Sequence, residues 1–383
     1  MSERPRRANA AVLVGLDFGA DGYGEGLEEL RLLVESSGLS PRALIQGRRQ
    51  RPDPALYAGS GKVEEIAAAV REHSAVVVVF NHELSPAQQR NLEQKLDCAV
   101  LDRTGLILGI FARRARSHEG KLQVELAQLE YASTRLVRGW THLERQRGGR
   151  GFLGGMGETQ IEVDRRLIGN RVKVLKDKLQ QFKRRRDVQR RARVRGEVLS
   201  VSLVGYTNAG KSTLFNALTH AGSYTADQLF ATLDTTTRRL YIEGTGNLVL
   251  SDTVGFIRDL PHGLVASFRA TLEETIHADL LLHVVDASSS VRAQQIASVN
   301  AVLAEIGADA IPQVLVWNKI DLTPVLAGLE RDEYGKICRV SLSAKTGAGL
   351  DHLRTGLAEV AAAKKSAESN LVTEQHQKDT YVA

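Results

Sequence analysis

Short apolar runs alternate with amphipathic segments over the first 110 residues. Residues 10–16 and 75–80 are rich in Val and other aliphatic side chains, which is typical of strands that are buried on both faces. Apolar positions recur at helical spacing in 24–36, 62–72 and 86–96. The alternation of buried strands and amphipathic helices predicts βαβ units with a parallel sheet.

Two helical patterns flank a glycine-rich stretch in the middle of the chain. Leu122, Leu126 and Leu129 recur at helical spacing within the first pattern, and a second pattern covers 159–195. The stretch 145–158 is so rich in glycine that we expect no regular structure there without a partner. The two helices are predicted to form an antiparallel arm that carries this loop.

A second alternating region begins at residue 197. Its strand-like runs, several of them separated by helical patterns, are at 198–204, 247–251, 280–285, 314–317 and 338–342. The end of the chain is polar and lacks periodicity, which predicts disorder. The predicted organisation is an N-terminal parallel-sheet α/β domain at 1–112, a helical arm at 113–196, an α/β domain with a doubly wound sheet at 197–363 and a tail at 364–383.

Positive charge is concentrated in the predicted arm. The whole chain has 51 Lys and Arg residues against 45 Asp and Glu, a net charge of +6. Residues 165–195 hold 14 basic and 2 acidic residues, 113–150 hold 9 and 4, and the rest of the chain therefore carries −11. A confined cationic segment favours binding to a polyanion such as RNA, with a solvated helix face or a protein-only coiled coil as the alternatives.

Composition excludes several other classes of protein. Two cysteines, Cys98 and Cys338, cannot build a disulfide framework, which indicates a reducing compartment. No run approaches the ~18 apolar residues that a membrane helix requires. The basic N-terminus before residues 8–16 superficially resembles a signal peptide, but Asp17 follows at once and no cleavage site is evident. We therefore expect a cytoplasmic protein without membrane insertion.

The strongest motif is GYTNAGKS, residues 205–212, which matches the phosphate-loop pattern G-x-x-x-x-G-K-[ST] in full. It follows an apolar strand and precedes an apolar helical run, the context that the pattern requires. Gly205 and Gly210 let backbone N–H groups turn toward phosphate oxygens. Lys211 is suited to the β- and γ-phosphates and the Ser212 hydroxyl to Mg²⁺. A chance Gly-rich turn is the alternative.

Three downstream motifs follow predicted strands. Asp252 in DTVG can hold a magnesium-bound water, and Gly255 can offer its N–H to the γ-phosphate. In NKID, the Asp321 carboxylate can accept hydrogen bonds from guanine N1–H and the 2-amino group, which adenine cannot supply. Residues 343–345, SAK, could complete the base pocket through backbone amides.

These motifs, in this order, resemble those of the translation-factor-related GTPases, and the chain as a whole resembles the HflX family from about residue 10 to residue 360. The motifs of the GTPase region, which include FATLDTTTR (230–238) and SAKTG, are specific to the superfamily. The upstream stretch HEGKLQVELAQLEY (118–131), with THLERQ and GETQIEVDRR (157–166), narrows the resemblance to the HflX family. The resemblance implies a P-loop GTPase that binds GTP and GDP with Mg²⁺.

The resemblance also assigns residues. Thr232 matches the first-switch hydroxyl that contacts Mg²⁺ and the γ-phosphate; without the family, Thr235, Thr236 and Thr237 compete with it. Mg²⁺ is assigned to Ser212, Thr232 and, through water, Asp252, and the catalytic positions are Lys211, Thr232 and Gly255. The expected nucleotide contacts are Gly205, Tyr206, Thr207, Asn208, Ala209, Gly210, Lys211, Ser212, Thr213, Phe230, Ala231, Thr232, Leu233, Asp234, Asp252, Thr253, Val254, Gly255, Asn318, Lys319, Ile320, Asp321, Ser343, Ala344 and Lys345.

Two residues bear on the rate of hydrolysis. Many GTPases orient the attacking water with a Gln directly after D-x-x-G, but here that residue is Phe256, which predicts slow intrinsic hydrolysis that a partner stimulates. Asn208 raises a second hypothesis, because related GTPases with Asn at this position can use K⁺ beside the phosphates. The alternative is that Asn208 only shapes the loop.

The resemblance implies a partner as well. HflX proteins bind the large ribosomal subunit in their GTP form and can split or rescue stalled ribosomes, with the arm 113–195 approaching rRNA. The predicted function is therefore a GTP-driven switch on the ribosome, and the protein is expected to be a monomer. The alternatives are a regulatory GTPase acting on a protein partner and an RNA-remodelling ATPase. The family is reported to bind ATP through its N-terminal unit, yet Gly59–Lys62 does not match a phosphate loop, since Val63 follows the lysine.

Overall fold

The computed structural model describes residues 9–19, 22–139, 160–194, 198–219, 229–243, 245–258 and 272–381. The described residues up to Gln180 form one compact unit, and those from Gln181 onward form a second. The glycine-rich loop predicted at 145–158 lies outside the described residues.

A four-stranded parallel sheet forms the centre of the first unit. Its strand order is β2-β1-β3-β4, with β1 Ala10–Asp17, β2 Ser40–Arg48, β3 Val77–Phe80 and β4 Ala99–Leu101. The helices that alternate with these strands are α1 Tyr23–Ser36, α2 Ser60–Glu72, α3 Pro86–Leu96 and α4 Arg103–Arg114. The predicted βαβ arrangement is confirmed.

Local sequence signals explain where two of these helices begin. Ser85 and Gln88 form a reciprocal capping box at the start of α3. Pro86 is the first residue of the helix, and its restricted φ already suits a helix. Asp102 caps α4 by accepting a hydrogen bond from the Gly105 amide at 2.8 Å. The same carboxylate accepts a hydrogen bond from the Tyr131 hydroxyl at 2.6 Å, so the cap of α4 also holds the following helix.

Two long helices follow, α5 His118–Gly139 and α6 Gln160–Val194. Helix α6 buries a narrow stripe, because Leu175 is inaccessible to solvent while its neighbours at spacings of three and four are half-buried (Ile168, Val172, Leu179 and Phe182). Leu167, although apolar and next to Ile168 in the sequence, points outward and is 58% exposed. The antiparallel arrangement of the arm stays a prediction.

The second unit is built on a seven-stranded sheet of order β10-β11-β9-β8-β5-β7-β6. The strands are β5 Ser200–Gly205, β6 Thr236–Ile242, β7 Gly246–Asp252, β8 Leu280–Asp286, β9 Gln313–Asn318, β10 Gly328–Arg331 and β11 Ile337–Ser341. Strands β6 and β10 pair antiparallel at the two edges, and the interior strands are parallel. The predicted doubly wound fold is confirmed, with β6 and β10 as strands that the apolar runs did not indicate.

Helices cover this second sheet and extend beyond it. They are α7 Lys211–Thr219, α8 Glu273–Ile276, α9 Arg292–Ile306 and α10 Leu350–Tyr381, with a 3₁₀ turn at Ile320–Leu322. The tail beyond Lys364 was expected to lack regular structure, but α10 continues to Tyr381. The physical reason is that residues 350–381 contain one glycine, no proline and many strong helix formers, and that Leu353, Leu357 and Ala361 anchor the first turns in the core. The predicted domain boundaries stay predictions.

Candidate functional site

The carboxyl ends of the parallel strands β5, β7, β9 and β11 meet at one edge of the second sheet, and each is followed by one of the four sequence motifs. The phosphate loop joins β5, which ends at Gly205, to α7, which begins at Lys211. Loop and helix therefore present their backbone amides at the place where open α/β sheets bind ligands.

Both motif glycines are required by close contacts. Gly205 has φ +147°, and a Cβ there would lie 2.2 Å from the carbonyl oxygen of Val284. Gly210 has φ +92°, and its Cβ would lie 2.2 Å from Nδ2 of Asn318. A side chain at either position would collide with the neighbouring strand or with the base motif, so the loop path depends on glycine.

Lys211 is buried beneath this loop. Its Nζ donates hydrogen bonds to the carbonyl oxygens of Gly205 at 3.0 Å and Tyr206 at 2.8 Å. Burial lowers the pKa of the ammonium group to about 8, while the nearby Asp252 carboxylate acts in the opposite direction. Gly255 approaches the same atom closely, since a Cβ on it would lie 3.0 Å from Nζ.

Three oxygen-bearing side chains converge beside the lysine. The Ser212 hydroxyl lies 2.6 Å from both Thr232 Oγ1 and Asp252 Oδ2, and Thr232 Oγ1 donates to Asp252 Oδ2 at 3.0 Å. Burial raises the pKa of Asp252, although the hydrogen bond from Ser212 and the charge of Lys211 lower it. Of the competing threonines, Thr237 instead contacts Ser251 on β7.

This oxygen cluster fits a hard divalent cation. Two hydroxyls and a carboxylate are the donor types that Mg²⁺ prefers, usually with several waters retained. The second carboxylate oxygen of Asp252, Oδ1, is buried and has no hydrogen-bond partner among the described residues. A water held by the cation would satisfy it.

The loop after β7 packs against the phosphate loop. The Thr207 amide donates to the carbonyl oxygen of Phe256 at 2.7 Å, and the Phe256 amide donates to that of Gly205 at 3.1 Å. The Phe256 side chain is 1% exposed and therefore belongs to the core. The amide of Arg258 donates to the Tyr206 hydroxyl at 2.9 Å, a contact that no motif indicated.

Asn318 connects the base motif to both neighbouring loops. Its Nδ2 donates to the carbonyl oxygen of Ala209 in the phosphate loop, and its Oδ1 accepts from the amide of Ala344, each at 2.9 Å. The Asp321 carboxylate is exposed and accepts a hydrogen bond from the Ser343 hydroxyl at 2.6 Å. Ser343 was expected to act through its backbone; its side chain also orients the predicted guanine-binding carboxylate.

Lys319 occupies a left-handed backbone position, φ +64°, and its Nζ lies 2.7 Å from Asp286 Oδ2. Asp286 was missed by motif reasoning. The signal that could have found it is its position at the carboxyl end of β8, between two motif-bearing strands. Lys345 is exposed, and Ile320 is buried beneath the motif.

One cavity gathers a subset of the predicted contacts. Its lining comprises Thr207, Asn208, Gly210, Lys211, Ser212, Thr213, Phe230, Ala231, Thr232, Thr253 and Gly255. Leu233 and Val254, which were predicted to contact nucleotide, are instead buried in the core next to the cavity. Their side chains support the loops, and any contact they make with a ligand would come from the backbone.

A phosphate loop, a convergent hydroxyl–carboxylate cluster and a carboxylate-bearing base motif on one sheet edge define a P-loop GTPase. Family models match three consecutive regions: GTP-binding GTPase N-terminal at 24–112, GTP-binding GTPase middle region at 114–193, and 50S ribosome-binding GTPase at 200–319. The chain is similar to the GTPase HflX of Escherichia coli, with 55% identity over 94% of this chain and 84% of the relative. The chain belongs to the HflX family of GTPases.

Two further comparisons agree with this assignment. The GTPase HflX of Magnetococcus marinus is 53% identical over 86% of this chain and 76% of that protein. The solved complex of SsGBP with GDP is 25% identical, with a TM-score of 0.51, and the match covers 92% of this chain and 98% of the other. The catalysed reaction is therefore GTP hydrolysis. Within the described residues, no helix combines the length and apolarity needed to cross a membrane.

Proposed function

We propose that this protein is a GTP-driven switch that binds the large ribosomal subunit through its rRNA and splits or rescues stalled ribosomes. The observation that carries the RNA contact is the exposed basic surface of α6, in a chain whose second unit matches a ribosome-binding GTPase model. GTP binding orders the loops around the oxygen cluster, and hydrolysis releases the protein.

Nine of the basic residues of α6 fall into two sets. Four have carboxylate partners: Arg171 with Glu125 at 2.6 Å, Lys176 with Glu130 at 2.8 Å, and Lys183 and Arg186 with Glu273 at 3.0 and 3.2 Å. Few acidic residues lie within α6 itself, but α5 and α8 supply carboxylates to it. The net positive charge of the surface around α6 is therefore smaller than the count of +12 for residues 165–195 indicates.

A second set of basic residues on α6 is exposed and makes no ion pair with another described residue: Arg165, Lys173, Lys178, Arg184 and Arg185. We call these the free cations. They spread around the helix rather than along one narrow line, since the apolar stripe of α6 among the described side chains is narrow and centred on Leu175. A helix of this kind can contact phosphates on more than one side.

Ser212, Thr232 and Asp252 are the residues that would hold Mg²⁺, and the ion would neutralise charge on the β- and γ-phosphates. Lys211 would leave its present carbonyl partners and donate to the phosphates, and the Gly255 amide would donate to the γ-phosphate. Thr232 would report the presence of that phosphate, because its hydroxyl belongs to the same cluster.

The residue after the D-x-x-G motif sets the expected rate. The buried Phe256 side chain has no hydrogen-bonding atom with which to orient a water, so we expect slow intrinsic hydrolysis that ribosomes stimulate. Turnover of several GTP per second by the purified protein alone would contradict this. For Asn208, which lines the cavity, exchange of K⁺ for Na⁺ at equal ionic strength should slow hydrolysis if K⁺ is used; equal rates would reject the idea.

ATP is not part of the proposal. Lys62 follows Gly59–Gly61 at the start of α2, but its Nζ donates to the carbonyl oxygen of Gln46 at 2.9 Å and pairs with Glu65 at 2.6 Å. The lysine is therefore engaged in holding α2 to β2.

The decisive experiment is co-sedimentation with purified large ribosomal subunits in a non-hydrolysable GTP analogue or GDP. Substitution of Lys173, Arg184 and Arg185 by Gln should weaken binding to the subunit and leave GTP affinity unchanged. The slope of log binding constant against log salt concentration should become less steep by about 2. The matched control replaces three carboxylate-paired residues, Arg171, Lys176 and Lys183, by Gln and should change the salt slope less. Absence of any GTP-dependent co-sedimentation by the unaltered protein would overturn the ribosome proposal, and a sucrose-gradient assay of intact ribosomes tests splitting separately.

A further inference from the structure

Strand β6 forms one edge of the second sheet, and its outer side has no neighbouring strand among the described residues. The amide of Val249 on β7 donates to Leu199, on the side of β7 that faces β5. In an antiparallel pair, two directly opposite residues either exchange both backbone hydrogen bonds or exchange none. Because Val249 directs its amide toward β5, the residue opposite it on β6 directs its own backbone groups away from β7. Arg239 lies opposite Val249, so the backbone groups of Arg239, and by alternation of Thr237 and Tyr241, face outward.

The side chains on this edge are cationic and aromatic. Arg238 and Arg239 are both exposed and make no ion pair with another described residue. The Tyr241 side chain is 66% exposed, and it shares a face of the strand with Arg239. Glu243, the nearest acidic residue along the chain, lies beyond the end of β6.

The same strand is tied to the nucleotide site. Thr236, the first residue of β6, pairs with Asp252, and Thr232 lies four residues upstream with its hydroxyl 3.0 Å from that carboxylate. Movement of Thr232 or Asp252 would therefore be transmitted to β6 in two ways. One is the short chain segment from Thr232 to Thr236, and the other is the backbone pairing of Thr236 with Asp252. A partner that binds this edge would be sensitive to the bound nucleotide.

We propose that residues 237–241, the β6 edge, form a second RNA-binding surface, separate from α6, whose engagement depends on GTP. Guanidinium groups and outward amides suit phosphate oxygens, and an exposed tyrosine ring suits base stacking. A second copy of this chain would place arginines opposite arginines, and a protein strand would need acidic residues to match them. This inference rests on the proposed ribosome function and specifies a further contact within it.

The edge could instead be protected by charge alone, since exposed edge strands commonly carry cations that prevent self-association. The two explanations differ at Tyr241, because a protecting edge has no use for an exposed aromatic ring. They also differ in the expected effect of neutralising the arginines, which is self-association in one case and weaker RNA binding in the other.

The test places a photocrosslinker on the edge of the full-length protein. Tyr241→p-benzoylphenylalanine is irradiated with large ribosomal subunits in a GTP analogue and in GDP, and Tyr334→p-benzoylphenylalanine is the control. Tyr334 is 79% exposed in the turn between β10 and β11, at the opposite edge of the same sheet. The expected result is an rRNA adduct at Tyr241 that is stronger with the GTP analogue, and none at Tyr334.

Variants give an independent measurement. Tyr241→Ala should weaken binding to the subunit about fivefold or more through lost stacking. Arg238→Gln with Arg239→Gln should lower the salt slope by roughly 1.5. An adduct to a ribosomal protein, equal adducts at both tyrosines, or unaltered binding with self-association of the arginine variant would each overturn the inference. If the unaltered protein fails to co-sediment with the subunit at all, the proposed function itself fails.

Discussion

Asn318 connects three loops of the nucleotide site, and its truncation tests whether they act as one unit. The side chain is 2% exposed and bridges Ala209 in the phosphate loop to Ala344 in the SAK loop through two hydrogen bonds of 2.9 Å. Asn318→Ala removes both bonds at once. It leaves a carbonyl oxygen and an amide N–H buried without partners in the nucleotide-free protein.

The magnitude follows from those two groups. Each buried polar group without a partner costs roughly 1–3 kcal/mol, so the free energy of unfolding should fall by about 2–4 kcal/mol after partial relaxation or entry of water. Ala209 belongs to the loop expected to bind phosphate and Ala344 to the loop expected to bind the base. Loosening both should reduce guanine nucleotide affinity by at least about tenfold, because part of the binding free energy is then spent on ordering them.

Two measurements separate the effects. Urea unfolding without nucleotide reports the free energy of unfolding, and titration calorimetry with GDP under conditions where the variant is folded reports affinity. Asn247→Ala, at an exposed position on β7, is the control, and it should change the free energy of unfolding by less than about 0.5 kcal/mol.

An unaltered free energy of unfolding would refute the bridge as a structural element. Lower stability with unaltered GDP affinity would show that the loops hold their binding geometry without it, and would refute the link between the two loops. A bridge that holds both loops requires that both quantities fall in Asn318→Ala and that neither falls in Asn247→Ala.

Three other perturbations have defined outcomes. Asp321→Asn should lower GTP affinity at least about 100-fold and favour xanthosine triphosphate, because an amide donates where guanine needs acceptors; competition binding measures the ratio. Glu273→Gln removes the shared partner of Lys183 and Arg186, so the free energy of unfolding should fall by about 1 kcal/mol in urea, against no change for the exposed Glu333→Gln. Burial lowers the pKa of His283 to about 4, so the unfolded chain binds more protons between pH 4 and 6.5 and the free energy of unfolding falls by roughly 3 kcal/mol as pH drops through that range. His283→Leu should flatten this part of the pH profile, and an unaltered profile would contradict the assignment.

The motif loops could be predicted from sequence because their physics is local. Gly205 and Gly210 are required by backbone conformation and close approach, and Lys211 follows at a fixed chain distance. Placement of the remaining motifs at the same edge followed from one rule, that parallel strands present their carboxyl ends together. The fold class followed from the same rules, whereas the family was predicted from the resemblance of residues 118–131 and 157–166 to HflX sequences.

Contacts between distant residues could not be predicted in this way. No spacing rule joins Glu273 to Lys183 and Arg186, or Ser343 Oγ to Asp321, because these contacts depend on tertiary packing. The edge strand β6 was missed because Thr237, Arg238 and Arg239 interrupt the apolar alternation that marks a strand.

The polar residues that interrupt the apolar alternation of β6 also determine the charge and hydrogen-bonding groups of its exposed edge. A strand at the end of a sheet needs only one apolar face, here Leu240 and Ile242, so its remaining positions can carry arginine and tyrosine at little cost to folding. The strand must nevertheless stay in register with β7, because Thr236 pairs with Asp252. Its fixed register places the arginines at a constant chain distance from the oxygen cluster. The residues of this edge can therefore change without disrupting the fold, while their position relative to the nucleotide site stays fixed. Both properties suit a surface that contacts RNA in a nucleotide-dependent way.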